Sequence, residues 1–238
     1  MKNSTSIKVF YRLSNFEASI SKKKLQNATK QHCLENCIRE FGADSITVFG
    51  DTLNPETENF VKSKGLTYVP VKYASGAGTF MHAFNAALEL EDDTIVYLLE
   101  DDFLHLPGSK EILLEAASKY NAYVTLYDHP DKYIDRDFGG NPQVTDGGEV
   151  TKLIRTESSH WKITNSTVMS FAARVSRLKA DRELMKSASE RFAKMTDSYW
   201  FFTQLSQTVG VPVLSAVPGL STHCETKWLS PFTNWTEV

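Results

Sequence analysis

The sequence lacks the features that mark secreted, membrane-spanning and disulfide-stabilised proteins. Its 238 residues include three cysteines, Cys33, Cys37 and Cys224, an odd number at scattered positions, which argues against a disulfide framework and fits a reducing compartment. No apolar run approaches the roughly 20 residues that a membrane-spanning helix needs. No apolar segment follows residues 1–6, so we expect no secretion signal and a cytoplasmic protein.

The chain also lacks a marked excess of positive or negative charge. The chain has 26 Lys and Arg against 29 Asp and Glu, for a net charge of −3, so no basic field indicates binding to nucleic acid. Its 12 glycines and 8 prolines are too few for a low-complexity or collagen-like chain. What remains is the composition of a globular protein, 41% hydrophobic, with enough residues for a sizeable core.

Strand-like and helix-like segments alternate along the first half of the chain. Strands are predicted at residues 7–11, 45–49, 66–71, 94–99 and 122–126, and helices at 22–41, 54–64 and 80–90. The fourth strand is apolar throughout, which is typical of a central strand covered on both faces. The alternation predicts an α/β fold with a mostly parallel central sheet and helices on both faces, in three layers.

The second half is less regular. Residues 128–150 are rich in Asp, Gly, Pro and Asn and lack apolar periodicity, so they predict a long loop or hairpin of the kind that carries function. Further strands are predicted at 166–172 and 211–217, further helices at 176–189 and 198–209, and a loop-like tail at 227–238. No linker or internal repeat divides the chain, so we expect a single domain.

Three acids directly follow the most apolar strand. Glu100, Asp101 and Asp102 stand at its carboxyl end, the edge at which open parallel sheets bind ligands. Their mutual repulsion would be relieved by a divalent cation with hard oxygen ligands, Mn²⁺ or Mg²⁺, which usually also binds substrate phosphates. The similar acids at 91–93 precede the strand and predict a solvated turn. The plain alternative for the motif is an acidic loop.

Small residues precede the third predicted helix. Ser75, Gly76 and Gly78 would let backbone N–H groups approach an anion at a helix N-terminus. No third glycine completes a dinucleotide fingerprint, and no Gly-Lys-Ser/Thr occurs, so a plain strand–helix turn is the alternative. Asn85, on the Ala-rich helix that follows, is a polar side chain with which a ligand could bond.

Three further positions carry candidate side chains, each with a plain alternative. His223 follows the last predicted strand, where an imidazole can be a metal ligand or an acid or base, or simply a packed histidine. Asp197 precedes a helix and can be a general base, a helix cap or both. Trp161, beside His160, can be a platform for a sugar acceptor or a core residue.

In this order, these motifs resemble the GT-A glycosyltransferase fold, in particular family 2-like enzymes that use nucleotide-sugar donors. The resemblance implies that residues 100–102 are a DXD-type motif in which Asp102 binds Mn²⁺ or Mg²⁺. It implies that His223 is a further metal ligand and that Asp197 is the catalytic base. The ending at residues 218–223 also resembles a small viral rhamnosyltransferase domain.

The same resemblance implies the residues that bind the donor. They are Tyr11, Arg12 and Asp51 for the nucleotide base, and Ser75, Gly76, Gly78, Asn85, Glu100 and Asp101 for ribose, sugar and diphosphate. It implies one GT-A domain, with residues 7–127 as the nucleotide-binding half, 128–225 as the acceptor half and 226–238 as a C-terminal tail.

The expected activity is transfer of a sugar from a nucleotide diphosphate sugar, UDP-linked, to a hydroxyl acceptor in glycan biosynthesis, with inversion and a divalent metal. Two alternatives stay open: a nucleotidyltransferase of sugar activation, and a non-catalytic nucleotide- or sugar-binding module. A nucleotidyltransferase normally carries a glycine-rich loop with Lys or Arg after the first strand, which residues 14–16 match poorly. Turnover of a nucleotide sugar would exclude the binding module.

Overall fold

The computed structural model describes residues 6–16 and 23–238. The strands are β1 (Ile7–Ser14), β2 (Ile46–Asp51), β3 (Thr67–Val71), β4 (Ile95–Glu100), β5 (Phe103–His105), β6 (Tyr123–Thr125), β7 (Leu153–Arg155), β8 (His160–Thr164), β9 (Phe171–Arg174), β10 (Val213–Val217) and β11 (Ser221–His223). The helices are α1 (Lys30–Phe41), α2 (Pro55–Ser63), α3 (Gly76–Leu88), α4 (Ser109–Lys119), α5 (Val175–Ala180), α6 (Arg182–Glu190) and α7 (Ser198–Gln204), the last continued by a π-helical turn at Leu205–Val209.

Nine strands of the described residues form one sheet in the order β3-β2-β1-β4-β9-β6-β10-β8-β7. β3, β2, β1 and β4 run parallel, β9 lies antiparallel between β4 and β6, and β6 pairs in parallel with β10. β8 and β7 add antiparallel strands at one end. The α/β fold with a mostly parallel core that the sequence predicts is confirmed.

Alternate side chains of β1 point into two apolar layers. Val9 and Leu13 pack in the layer that includes buried residues of α1, α2 and α4. Phe10 packs in the layer that includes α3, α5, α6 and α7. Full burial of one such side chain stabilises the fold by about 1.5–3 kcal/mol. Because helices fix both faces of the sheet, its carboxyl edge is left as the place for a site.

Two helices begin at other residues than the sequence predicts, because capping side chains set their starts. α1 begins at Lys30 with Thr29 as its cap, and residue 22, the predicted start, lies outside the described residues. α3 begins at Gly76 with Ser75 as its cap. The small-residue segment is therefore the first turn of a helix and not a loop before it.

Two predictions for the second half are corrected. The strand predicted at 166–172 is β9, which begins only at Phe171. The helix predicted at 176–189 is two helices, α5 and α6, that meet at Asp181. The carboxylate of Asp181 there accepts a hydrogen bond from Tyr123 Oη at 2.9 Å, which anchors the junction to the sheet.

Four short strands lie where no strand was predicted. β7 and β8 follow the irregular segment 128–150 and extend the sheet. β5 and β11, of three residues each, pair with each other in a separate antiparallel ribbon at the carboxyl end of β4. Among the described residues, none of the helices has the length and apolar character needed to cross a bilayer.

Candidate active site

A cleft opens at the carboxyl ends of β1 and β4, beside the start of α3. Its lining residues are Arg12, Leu13, Ser14, Phe16, Lys24, Lys30, Gly76, Thr79, Glu100, Asp101 and Asp102. The acidic motif predicted from the sequence therefore lies at the edge of the sheet at which ligands of parallel α/β folds bind.

Each acid of the motif has a cationic partner. Asp101 Oδ2 lies 2.8 Å from Lys30 Nζ, and Asp102 Oδ2 lies 2.8 Å from Lys24 Nζ. Glu100 is held more loosely, with its Oε1 3.8 Å from an Arg12 amino group in the adjacent strand. The three carboxylates are thus already balanced by three cations of the chain.

Asp101 also fixes the end of β1. Its Oδ2 accepts a hydrogen bond from the N–H of Ser14 at 2.9 Å, in addition to the Lys30 ion pair. Charge-assisted bonds of this kind are stronger than neutral ones. The motif therefore holds together the two strand ends that form the floor of the cleft.

The β5–β11 ribbon brings Asp102 and His223 together. Asp102 directly precedes β5, His223 ends β11, and the N–H of Cys224 donates to the Asp102 carbonyl at 2.9 Å. His223 Nε2 lies 2.9 Å from Asp102 Oδ2, and both side chains are almost fully buried. The sequence prediction that these two residues share a site agrees with this geometry, although they are 121 positions apart.

Electrostatics within this pair favours its ionised form. Burial by itself would raise the pKa of Asp102, but His223 and Lys24 outweigh it and hold that pKa well below its usual range. Burial by itself would lower the pKa of His223, but the neighbouring Asp102 outweighs it and raises that pKa. Burial by itself would also lower the pKa of the Lys24 ammonium group, but Asp102 outweighs this effect and raises that pKa.

The donor set fits a divalent cation that takes part of its ligands from elsewhere. Asp102 Oδ1 is buried and has no hydrogen-bond partner among the described residues, and carboxylate oxygens suit Mn²⁺ or Mg²⁺. His223 would add an imidazole nitrogen only in its neutral form, after losing the proton that it shares with Asp102. Within residues 6–16 and 23–238, no cluster of three or more His, Cys, Asp or Glu is arranged to hold an ion. The remaining ligands would have to come from substrate phosphates and water.

The two residues predicted at the end of β1 lie on opposite faces of the sheet. Arg12 lines the cleft; its Nη2 donates to the Met169 carbonyl at 2.5 Å, and its guanidinium lies 5.1 Å from the centre of the Phe80 ring. Tyr11 is fully buried in the core layer that includes α1. The prediction that Tyr11 binds the nucleotide is corrected, because the pleat of the strand directs it away from the cleft.

Asp51 is buried and fully occupied by donors of the protein. Its Oδ1 accepts from the N–H groups of Tyr73 and Ala74 at 2.9 and 3.0 Å, and its Oδ2 from Thr79 Oγ1 at 2.5 Å and Ser75 N–H at 3.3 Å. Burial raises the pKa of Asp51, but the Thr79 and backbone hydrogen bonds more than offset this and leave it lowered. The carboxylate organises the turn that leads into α3 and does not line the cleft.

The start of α3 contributes backbone more than side chains. Gly76 lines the cleft, and among the described residues its N–H has no acceptor. Gly78 lies against the Tyr73 ring, where an added Cβ would come within 2.8 Å of ring carbons, so close packing explains this glycine. Asn85 is exposed on α3 and is not among the residues that line the cleft.

Asp197 does not line the cleft. Its Oδ1 accepts from the N–H of Trp200 at 3.0 Å, so it caps α7, and its Oδ2 accepts from Arg191 Nε at 2.9 Å. The same loop contacts the start of α3, since the N–H of Ala77 donates to the Lys194 carbonyl at 3.2 Å. The cap predicted for Asp197 is confirmed, and its role as a base stays a prediction.

The structure separates the two residues predicted to bind an acceptor. Trp161 is fully buried in β8, where its Nε1 donates to Thr156 Oγ1 at 3.2 Å. It is a core residue, so its prediction as a sugar platform was wrong; the unpredicted strand β8 explains the error. His160, the preceding residue, is exposed on the other face of that strand.

Sequence reasoning found Arg12 but missed the two lysines of the cleft. Lys24 and Lys30 lie in a segment that is basic in sequence, but it was assigned to a helix and to no site. A signal existed, because three clustered acids require counter-charges and this segment is rich in lysine. Thr79, which donates to Asp51 and lines the cleft, gave no such signal.

Comparisons with known proteins identify the fold. No protein-family profile and no curated sequence matches the chain. Among solved structures, GalNAc-T7 with UDP, GalNAc and Mn²⁺ is similar at a TM-score of 0.59 and 11% identity, over 92% of this chain and 43% of that one. This chain therefore spans less than half the length of GalNAc-T7.

Two structures of the other transferase class are similar over nearly their whole length. A nucleotidyl transferase from Methanothermobacter matches at a TM-score of 0.50 and 11% identity, over 90% of this chain and 88% of that one. CMP:2-keto-3-deoxy-manno-octonic acid synthetase, in complex with CTP, matches at 0.51 and 16%, over 90% and 92%. At these identities the likeness shows the fold alone: the chain has the α/β fold that GT-A glycosyltransferases and nucleotidyltransferases share.

Proposed function

We propose that the chain is a glycosyltransferase that moves a sugar from a nucleotide diphosphate sugar, UDP-linked, to a hydroxyl acceptor in glycan biosynthesis. The observation that carries the proposal is the pair formed by Asp102 and His223, in which one buried oxygen of the carboxylate has no partner among the described residues. The pair ends an acidic motif in a cleft at the carboxyl edge of the sheet. We also propose that the two residues hold Mn²⁺ or Mg²⁺.

The cations of the cleft are suited to a diphosphate. Lys24 and Lys30 are 41% and 34% exposed, so each ammonium group can reach a ligand while its stem stays packed. The N–H of Gly76 has no acceptor among the described residues. It lies at the positive end of the α3 dipole and is a donor of the type that binds phosphate oxygens. The divalent ion, when bound, would supply Lewis-acid stabilisation of the charge on the departing diphosphate.

Removal of the acceptor proton needs a base, and we assign it to Asp197. Its carboxylate ends a loop that contacts the start of α3, next to the cleft. The cap of α7 and the ion pair with Arg191 hold it in one orientation. Inversion then requires a single displacement by the acceptor hydroxyl.

A nucleotidyltransferase of sugar activation is the second candidate, favoured by the two structures that match the chain nearly end to end. The two activities leave different products. A glycosyltransferase releases UDP from a UDP-sugar, whereas a nucleotidyltransferase releases pyrophosphate from a nucleoside triphosphate and a sugar phosphate.

A panel of ligands, with thermal shift as the readout, tests the proposal. Nucleotides, nucleoside triphosphates and nucleotide sugars are each added with Mn²⁺ and without it. A ligand at 100 times its dissociation constant stabilises the native protein by about 2.7 kcal/mol. We expect UDP-sugars with Mn²⁺ to raise the melting temperature, and an assay of the products to find UDP. An assay that instead finds pyrophosphate released from a nucleoside triphosphate would establish the second candidate.

A further inference from the structure

The counter-ion of Asp102 is the feature from which we draw a further inference. We propose that Lys24 is a built-in counter-ion that competes with a divalent cation for Asp102, and that it thereby makes binding of the cation depend on binding of a diphosphate. The inference deepens the proposed function, because it concerns the same metal and donor. It rests on the placement of Lys24 and on the charge balance of the cleft.

The backbone beside Lys24 is attached to the chain that follows His223. Lys24 forms an antiparallel bridge with Glu225. The N–H of Leu25 donates to the Cys224 carbonyl at 3.0 Å, and the N–H of Thr226 donates to the Lys23 carbonyl at 2.9 Å. This backbone pairing fixes the position of Lys24 relative to Asp102. The contact between the two side chains therefore follows from the fold.

The C-terminal tail supports the same segment. Leu25 and Ala28 pack in a small apolar cluster with Cys33, Cys224 and Trp235. The Trp235 Nε1 is satisfied by a backbone carbonyl at 2.8 Å, so the indole is held in place. The base of Lys24 is therefore fixed while its ammonium group, at the end of a flexible four-carbon stem, can leave Asp102 without movement of the backbone.

Lys24 and His223 share one oxygen of Asp102. Lys24 Nζ lies 2.8 Å and His223 Nε2 lies 2.9 Å from Oδ2. A cation held by the carboxylate and the imidazole would lie close to this ammonium group and be repelled by it, because no bulk water separates charges at such distances. The cation and Lys24 therefore compete for Asp102.

Among the described residues, the charges that line the cleft cancel without any ligand. His223 lies outside this lining and has a second carboxylate partner, with Glu225 Oε1 3.4 Å from its Nδ1. The three acids of the cleft, Glu100 to Asp102, face three cations, Arg12, Lys24 and Lys30. A divalent ion alone would leave the cleft with an excess of positive charge, and a diphosphate alone with an excess of negative charge. The two together restore the balance, and the displaced Lys24 then has the diphosphate as a new partner. Each ligand is thus expected to raise the affinity for the other, and by the same factor.

The first experiment measures the binding of Mn²⁺ to the full chain in the absence of nucleotide. Binding of Mn²⁺ is measured from the loss of the electron paramagnetic resonance signal of free Mn²⁺, for the wild type, Lys24→Met and Lys23→Met. The last is a matched control: it removes the neighbouring charge, and within the described residues the Lys23 side chain makes no ion pair with Asp102. We expect Lys24→Met to bind Mn²⁺ about tenfold more tightly than the wild type, or roughly 1.4 kcal/mol, and Lys23→Met to match the wild type.

A second measurement follows the binding of UDP, which we expect Lys24→Met to weaken. Calorimetric titration of UDP, with Mn²⁺ and without it, gives the factor by which each ligand helps the other. In Lys24→Met we expect UDP alone to bind more weakly and this factor to shrink, whereas Lys24→Arg, which keeps the charge, should stay near the wild type.

The outcomes separate this inference from the proposed function. Equal or weaker Mn²⁺ binding by Lys24→Met would overturn the role of Lys24, while Mn²⁺-dependent binding of UDP to the wild type would leave the proposed function intact. If neither the wild type nor the variant binds Mn²⁺, with or without UDP, the inference and the metal site are both wrong.

Discussion

Asp51 and Asp102 both stand where a parallel strand ends, yet their hydrogen-bond partners give them different roles. Asp51 bonds to donors of its own chain on both oxygens. Asp102 keeps one oxygen without a partner among the described residues. A carboxylate whose acceptor sites are filled shapes the protein, and one with a free oxygen can take a ligand. The sequence could not separate them, because both are acids after an apolar run.

Replacing Asp51 should therefore affect stability first. In Asp51→Asn one acceptor oxygen becomes a donor amide that faces N–H and O–H donors, and unsatisfied buried polar groups cost about 1–3 kcal/mol each. We expect the free energy of unfolding to fall by roughly 2–4 kcal/mol in chemical denaturation. Asp93→Asn, at a side chain that is 98% exposed, is the control and should change it by less than about 0.5 kcal/mol. An unchanged stability with weakened nucleotide binding would instead support the base contact that the sequence predicted.

A substitution of Asp197 can separate its proposed role as a base from its role as the cap of α7. Asn caps a helix about as well as Asp, and the exposed ion pair with Arg191 contributes at most about 1 kcal/mol. If Asp197 is the base, Asp197→Asn should lower kcat by roughly 10²–10⁴-fold while the melting temperature stays close to that of the wild type. Arg191→Gln, which removes only the ion pair, serves as the control. Normal turnover in Asp197→Asn would leave the residue as a cap only.

His105 makes stability depend on pH. It is buried in β5, its Nε2 lies 2.9 Å from Tyr97 Oη, and burial lowers its pKa to about 3. An unfolded histidine titrates near 6.5, so between these values the unfolded state binds a proton that the folded state does not. Stability is therefore lost as pH falls from about 6.5 to about 3, by up to roughly 1.4 kcal/mol per pH unit.

The variant His105→Gln removes this titration and keeps a polar side chain. Denaturation measured at several pH values between 4 and 6.5 should show a shallower loss of stability than in the wild type. His160→Gln, at an exposed histidine of β8, should keep the wild-type slope. Equal slopes in the wild type and His105→Gln would contradict the neutral, buried state of this imidazole.

At the scale of elements, the β5–β11 ribbon decides the geometry of the site. It joins the residue after β4 to the residue at the end of β11, and so brings Asp102 against His223. The turn before β11 is tightly packed: a Cβ on Gly219 would lie 1.9 Å from Ser230 Oγ and 3.0 Å from Asp128 Cβ. The ribbon therefore has little freedom to shift.

Gly219→Ala should disturb this turn. Overpacking of a filled site costs typically about 1–3 kcal/mol, and we expect that loss of stability together with weaker Mn²⁺ binding, since His223 follows the turn. Gly148→Ala is the matched control, because its Cβ would meet open space and the backbone is not left-handed. A Gly219→Ala protein as stable as the control would show that Ser230 moves aside freely.

The elements themselves were predictable where apolar residues run long enough. β4 is buried along its length and carries a continuous apolar run, so its place was clear from the sequence. β5, β7 and β11 have three residues each, too few for a period of two to stand out. The start of α3 was misplaced because its first turn is made of small residues, which read as a loop.

At the scale of the whole molecule, the site is assembled from distant parts of the chain. Lys24, Asp102 and His223 meet within 3 Å of one oxygen, although nothing in their spacing predicts it. The sequence could place each acid at a strand end, since parallel strands share one edge. It could not place Lys24, whose position depends on the pairing of its segment with residues 224–226.

The solved structures to which the chain is similar come from two classes of transferase. The structures of both classes match the chain at TM-scores between 0.50 and 0.59, so the fold alone does not choose between them. Our proposal therefore depends on the site and not on the fold, namely that Asp102 holds a divalent ion that binds the diphosphate of a nucleotide.

A calorimetric titration shows whether the nucleotide needs an ion at Asp102. UDP is titrated into the wild type, Asp102→Asn and Asp93→Asn, each in the presence of Mn²⁺ and of EDTA. We expect Mn²⁺-dependent binding by the wild type and by Asp93→Asn, and loss of the Mn²⁺ dependence in Asp102→Asn. The folded state of Asp102→Asn is checked by circular dichroism, because the substitution removes the charge that pairs with Lys24 and His223. UDP binding that is equally tight in EDTA, or that keeps its Mn²⁺ dependence in Asp102→Asn, would contradict the proposal.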